Sequence, residues 1–140
     1  MFTTPQEAEQ AFYEALRRAD LTLMMNVWAD EDEVVCIHPG GMRAVGHDAM
    51  QSAWQQIFAN GPVSILPLRP MIMTSVMTSV HVLLEQLTVQ TMNGEHTAHC
   101  YTTNVFNKGP SGWKMVLHHA SHAPREAGLF DLQDFPDTLH

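Results

Sequence analysis

Positive charge is what this chain has least of. Seven Lys and Arg stand against fifteen Asp and Glu over 140 residues, a formal net charge of -8 with histidine neutral. A surface so short of cations can do little to neutralise a phosphate backbone or to settle on an anionic bilayer, so nucleic acid and membrane are set aside as partners. Long apolar runs are missing too. None approaches the roughly 18 residues of a membrane span, and the chain does not open with a basic segment followed by a hydrophobic one. A cytoplasmic, soluble protein is the expectation. Cysteine is nearly absent: Cys36 and Cys100 lie far apart, inside strand-like runs and outside any Cys-x-x-Cys pair. Buried free thiols in a reducing compartment follow, with a disulfide between them as the alternative.

What is present suits one domain. A length of 140 residues falls within the roughly 100 to 200 that one core serves. A hydrophobic share of 45% with 16% charged residues places the chain outside the disordered class. Three Trp, six Phe and ten Met supply bulky material for a pocket wall.

Thr4-Pro5-Gln6-Glu7 has the form of a helix start, with Thr4 as cap, Pro5 at the first helical position and Glu7 placed to reach back to the cap. Ala8, Ala11, Phe12, Ala15, Leu16 and Ala19 then form an apolar stripe, with Glu9, Glu14, Arg17 and Arg18 on other faces. Asp20 caps a short second helix running to about Trp28. Residues 34–38 read as a strand closed by Pro39-Gly40-Gly41, and a third helix starts near His47 with Ala49, Met50, Ala53, Trp54, Ile57 and Phe58 on one face. The period then changes. Residues 63–68, 71–77, 80–92, 96–106 and 113–122 read as strands, joined late in the chain by the hairpin signal Asn93-Gly94 and a longer loop over 107–112. Helices first and an antiparallel sheet afterwards give an α+β domain. The tail from Pro124 to His140 is read as a wrap over a surface.

The element order, with Trp28-Ala29-Asp30, the turn Cys36-Ile37-His38-Pro39-Gly40-Gly41, Gly46 before the third helix, Thr103-Asn104-Val105-Phe106 and Gly112-Trp113 leading to His118-His119-Ala120-Ser121, resembles the SnoaL-like branch of the nuclear-transport-factor-2-like superfamily. The resemblance covers residues 5–122, leaving 123–140 as a tail on a single domain spanning 1–140. It implies a cone: a strongly curved antiparallel sheet, a cone-shaped barrel, closed by about three N-terminal helices, paired through the sheet as a homodimer, and holding a small organic molecule. Phe12, Trp28, Met50, Trp54 and Phe58 are the expected walls of its pocket. The ketosteroid-isomerase branch carries an Asp where His38 stands, a Tyr where Phe12 stands and an Asp where Thr102 stands, so that branch's own constellation is not expected here.

The histidines remain. His38 ends a strand at the expected pocket mouth, and an imidazole exchanges a proton near neutral pH. On strand parity, Trp113, Met115, Leu117 and His119 share one face, which the resemblance turns into the cone, while His118 faces the dimer surface or solvent. His38 and His119 are therefore the candidate acid–base pair. Thr102 and Asn104 are polar anchors, and Met115 and Leu117 complete the expected ligand contacts. No His-x-His or His-Glu-x-x-His spacing occurs, so neither a metal nor another cofactor is expected. Two functions compete: cofactor-free proton transfer of the isomerase, dehydratase or hydrolase type, and a non-catalytic binding or oligomeric association module. The dull alternative for His38 is a capping or pocket-lining ring that hydrogen-bonds the Pro39 turn, and for His119 a buried ring satisfied by a backbone carbonyl or by Thr102.

Overall fold

The computed structural model describes residues 1–127. Of the tail read as a surface wrap, residues 128–140 therefore lie outside the described residues. Helix α1 (Pro5–Arg18) starts as the sequence reads: Thr4 Oγ1 accepts from the Glu7 backbone N–H at 3.1 Å. The Glu7 carboxylate reaches one residue further than expected, taking the Thr3 N–H and the Thr3 hydroxyl at 2.9 Å each. Ala8, Phe12, Ala15 and Leu16 are buried as the stripe demands. A left-handed Ala19 (φ 50°) turns the chain into helix α2 (Leu21–Val27), capped by Asp20 accepting from the Leu23 N–H at 3.0 Å. Helix α3 (His47–Phe58) presents Met50 and Trp54 to the core.

Strands β1 (Val35–Ile37), β2 (Arg43–Val45), β3 (Ile65–Thr74), β4 (Thr78–Thr91), β5 (Gly94–Gly109) and β6 (Gly112–His122) form one sheet in the order β2-β1-β6-β5-β4-β3. The fold is α+β, and the curved sheet is unclosed, ending in β2 on one side and β3 on the other. β1 runs parallel to β6, and every other neighbouring pair is antiparallel. Two strands expected over 63–77 are one. The chain keeps β4 as its neighbour across a register shift between Leu68 and Met71, where Arg69 takes φ 55°. β2, at three residues, is too short to show a period.

A second bulge decides where the histidines point. Val105 pairs with Leu117, but its neighbour Phe106 pairs with Met115, leaving Val116 as the extra residue on β6. One extra residue reverses the in/out alternation of everything beyond it. Met115 faces in and is fully buried; past Val116, His118 and Ala120 face in, and His119 is exposed. The expectation that His119 and Leu117 share the inner face with Met115 is thereby corrected, as is the expectation that His118 faces outward. The core between helices and sheet is built on Phe12, Trp28, Met50, Trp54, Phe106 and Met115, all at most 2% exposed. Burial of side chains this large contributes about 1.5–3 kcal/mol each.

Candidate functional site

Four side chains lie side by side across the inner face: Cys36 on β1, His118 on β6, Asn104 on β5 and His81 on β4 are consecutive register partners. Thr102, paired with Ala120 and Leu83, forms the next row, and Glu85, paired with Cys100, the one beyond. Each of these residues is buried. Helix α1 lies over them with Glu9, Phe12 and Tyr13, three residues whose i, i+3, i+4 spacing puts them on one helical face.

Polar groups sealed from water need partners, and here they find one another. Glu9 Oε2 accepts from His81 Nδ1 at 2.9 Å and from Asn104 Nδ2 at 3.1 Å. Asn104 Nδ2 also donates to the Tyr13 hydroxyl at 3.1 Å, and that hydroxyl donates to Glu85 Oε2 at 2.7 Å. On the other side of the amide, Asn104 Oδ1 accepts from His118 Nδ1 at 2.7 Å. The His118 proton is then on Nδ1, and Nε2 carries the lone pair. His81 Nε2 meets Ser79 Oγ at 2.8 Å, which in turn lies 2.8 Å from Thr74 Oγ1 at the exposed end of β3.

Aromatic rings enclose His118. Phe12 lies 4.8 Å from it between centroids, Trp54 at 6.4 Å and His38 at 5.9 Å, while His38 meets Trp54 edge to face at 4.8 Å and Phe58 flanks Trp54 at 5.6 Å. Trp54 is 1% exposed, and among the described residues its indole N–H has no hydrogen-bond partner. His38 Nε2 is also within 3.4 Å of Cys36 Sγ.

Burial sets the electrostatics. His118 is pushed down to about 3, first by desolvation and then by the neighbouring His38 and His119, so the ring is neutral across the physiological range. His38 is lowered by desolvation. Burial raises the Glu85 carboxyl, against a hydrogen bond from Tyr13 that favours its ionised form, and it raises Tyr13 well above the usual phenol value. The Cys36 thiol is pushed up to about 12 by burial and by the charge of Glu85, which leaves it a poor nucleophile.

Of the residues expected at the site, the structure brings together His38, Phe12, Trp54, Phe58 and, on the polar rows, Asn104 and Thr102. Met50 and Met115 are core residues. Trp28 stands elsewhere, bridged to Met115 and lining a separate cleft of about 510 Å³ against the β5–β6 loop. His38 finds its imidazole partner in His118 rather than His119. Glu9, Tyr13, Ser79, His81 and Glu85 were not anticipated. For the three on β4 the signal is the spacing of Ser79, His81 and Glu85 at alternate positions, which together with Leu83 form the side of that strand that faces inward.

A curved sheet that lines its concave side with polar groups under three helices defines the cystatin-like, NTF2-like class of fold. Within that class, the SnoaL-like domain profile matches residues 6–126, and the chain belongs to that family. Among solved structures it is similar to one from Thiobacillus denitrificans described as a calcium/calmodulin-dependent protein kinase type II association domain, with 34% identity, a TM-score of 0.80, and coverage of 89% of this chain and 98% of that one. A protein from Streptomyces avermitilis described as an NTF2-like dehydratase shares 25% identity at a TM-score of 0.74, covering 83% and 91% of the two chains. A ketosteroid isomerase-like protein from Erwinia carotovora atroseptica has 19% identity, a TM-score of 0.67, and coverage of 85% and 94%, a likeness of fold. No curated protein matches the chain at a significant level.

Proposed function

We propose that the inner face of the sheet binds a small, largely apolar, uncharged organic molecule and moves a proton on it without a cofactor, in a reaction of the isomerase or dehydratase type. The observation that carries this reading is His118: buried, neutral, and held by Asn104 with its lone pair on Nε2, in a ring cluster with Trp54, whose N–H has no partner among the described residues. Nε2 acts as the proton acceptor. The Trp54 N–H and His38 offer donors to an oxygen on which negative charge develops. A ring pushed down to about 3 is a weak base toward water. Beside a developing enolate the balance changes, because imidazolium and oxyanion attract strongly where water is excluded. Glu9 and Glu85 in the same wall favour an uncharged ligand over an anion. The similarity to a dehydratase supports this class of chemistry. A thermal-shift screen of small ketones, phenols, aromatics and organic acids, run on wild type, His118→Phe and His38→Ala, tests it, since a ligand stabilises the fold in proportion to its affinity for it. Uncharged carbonyl compounds are expected to stabilise wild type and to lose that effect in His118→Phe. Equal stabilisation of all three proteins would remove both histidines from the contact surface.

The outer face supports a second role that is compatible with the first. Met71 pairs with Val82 and Met73 with Val80, and Met71, Met73 and Val82 are 69%, 57% and 37% exposed. Apolar side chains left exposed on neighbouring strands suit an association site, and the similarity to an association domain points the same way. The chain pairs with a second copy through this face. Light scattering coupled to gel filtration should give twice the chain mass for wild type and the chain mass for Val82→Lys; a monomeric wild type would end this reading.

A further inference from the structure

The hydrogen bonds around Asn104 admit one direction only. Two acceptors sit on its Nδ2 side: the Glu9 carboxylate and the Tyr13 oxygen, each at 3.1 Å. The phenol is an acceptor there because its own proton is committed to Glu85 Oε2, 2.7 Å away. Turning the amide over would press its carbonyl oxygen against both of these oxygens. The orientation with Nδ2 toward both oxygens is therefore the stable one. With the amide held this way, Oδ1 faces His118 Nδ1 at 2.7 Å and that nitrogen must carry the proton. An unconstrained histidine prefers its proton on Nε2; the choice here is imposed by the partner of the other nitrogen.

We propose that Glu9 on helix α1 is a positioning residue that dictates the tautomer of His118 through Asn104, with the Tyr13–Glu85 pair as the second arm of the same clamp. Glu9 is in turn fixed by His81, whose Nδ1 donates to the same carboxylate oxygen at 2.9 Å. A residue on helix α1 thereby decides whether Nε2 of His118 offers a lone pair or a proton. This consequence rests on the binding and proton-transfer role proposed above; the tautomer itself is a property of the free protein and is measured without any ligand.

Nitrogen-15 long-range correlation spectra of histidine-labelled protein separate the two tautomers, because a protonated and an unprotonated ring nitrogen resonate far apart. His118 of the wild type is expected in the Nδ1–H form. In a Tyr13→Phe background, Glu9→Gln supplies an acceptor oxygen and should retain that form. Glu9→Leu in the same background removes the last acceptor and should exchange the two nitrogen shifts toward the Nε2–H form. Should that variant fail to fold, Asn104→Leu in an otherwise wild-type chain is expected to release the ring to Nε2–H. An Nε2–H ring in the wild type overturns the proposal, and so does an Nδ1–H ring persisting in Asn104→Leu or in the folded double variant that combines Glu9→Leu with Tyr13→Phe. Absence of ligand binding with the tautomer as expected would refute the proposed function and leave the clamp standing.

Discussion

Asn104→Leu is the most revealing single perturbation of the inner face. The substitution is close to isosteric at a position with no solvent exposure, so it removes hydrogen bonds while nearly conserving volume. Three contacts are lost. The largest loss is at His118, where a fully buried N–H is left without a partner at a cost of about 2 kcal/mol. Glu9 keeps His81 and Tyr13 keeps Glu85, so each loses one of two partners, about 1 kcal/mol apiece. Leucine's apolar surface returns about 1 kcal/mol. The net is a destabilisation of about 3 kcal/mol, or roughly 10 °C in Tm at this chain length. Urea unfolding followed by far-UV circular dichroism measures it. A double-mutant cycle with His118→Phe should show the pair costing about 1–2 kcal/mol less than the sum of the singles, because the orphaned N–H and C=O vanish together. A loss below about 0.5 kcal/mol, the scale of an ordinary surface change, or a strictly additive cycle, would refute the picture of one connected network.

Acid should unfold the protein through its histidines. The unfolded chain binds a proton on His118 near pH 6.5 that the folded ring refuses until about pH 3, so stability is complete above the first value and is lost as pH falls toward the second. For that ring alone the loss between pH 7 and 5 is about 2 kcal/mol. His38, lowered in the same direction, adds to it. Glu85, raised, contributes stability present below its unfolded value of 4.5 and lost as pH rises. Chemical denaturation at several pH values should therefore give a steep slope in wild type and a flatter one in His118→Phe; parallel slopes would contradict the assignment. Cys36, with its thiol pushed up to about 12 and no solvent exposure, should resist an aromatic disulfide reagent at pH 8 until denaturant is added. Gly112 has φ +88°, and a Cβ there would stand 2.5 Å from the Phe2 carbonyl oxygen. Gly112→Ala should consequently cost about 2 kcal/mol or more in a urea titration and loosen the Phe2 bridge; an unchanged midpoint would show that the bridge is dispensable.

The helices were legible because caps and apolar stripes are local: Thr4, Asp20 and the Phe12 face behave as their chemistry dictates. The family was legible from turns such as His38-Pro39-Gly40, whose backbone demands few other residue types meet. The orientation of the last strand was not. Alternation predicts which of His118 and His119 faces in only if the strand is regular, and the residue inserted at Val116 is specified by the pairing with β5 rather than by anything in β6 itself. The polar inner face was hidden for a related reason. Ser79, His81 and Glu85 alternate with Val80, Val82 and Leu84, and a period of two does not say which set is inside. Only the arrival of Glu9 and Tyr13 from a helix more than seventy residues earlier in the chain gives those polar groups partners, and so makes their burial tolerable.

The central claim is that the enclosed His118 and Trp54 rings form a contact surface for an uncharged organic molecule. Titrating wild-type protein with the best stabilising carbonyl compound while following the indole N–H of Trp54 and the ring nitrogens of His118 by nuclear magnetic resonance tests it most directly. Both are predicted to respond at one common affinity, the indole N–H shifting as it gains an acceptor and His118 Nε2 shifting as the ligand's C–H is seated against its lone pair. Binding that leaves both rings unmoved, with shifts confined to the cleft beside Trp28 or to the outer face of the sheet, would contradict it.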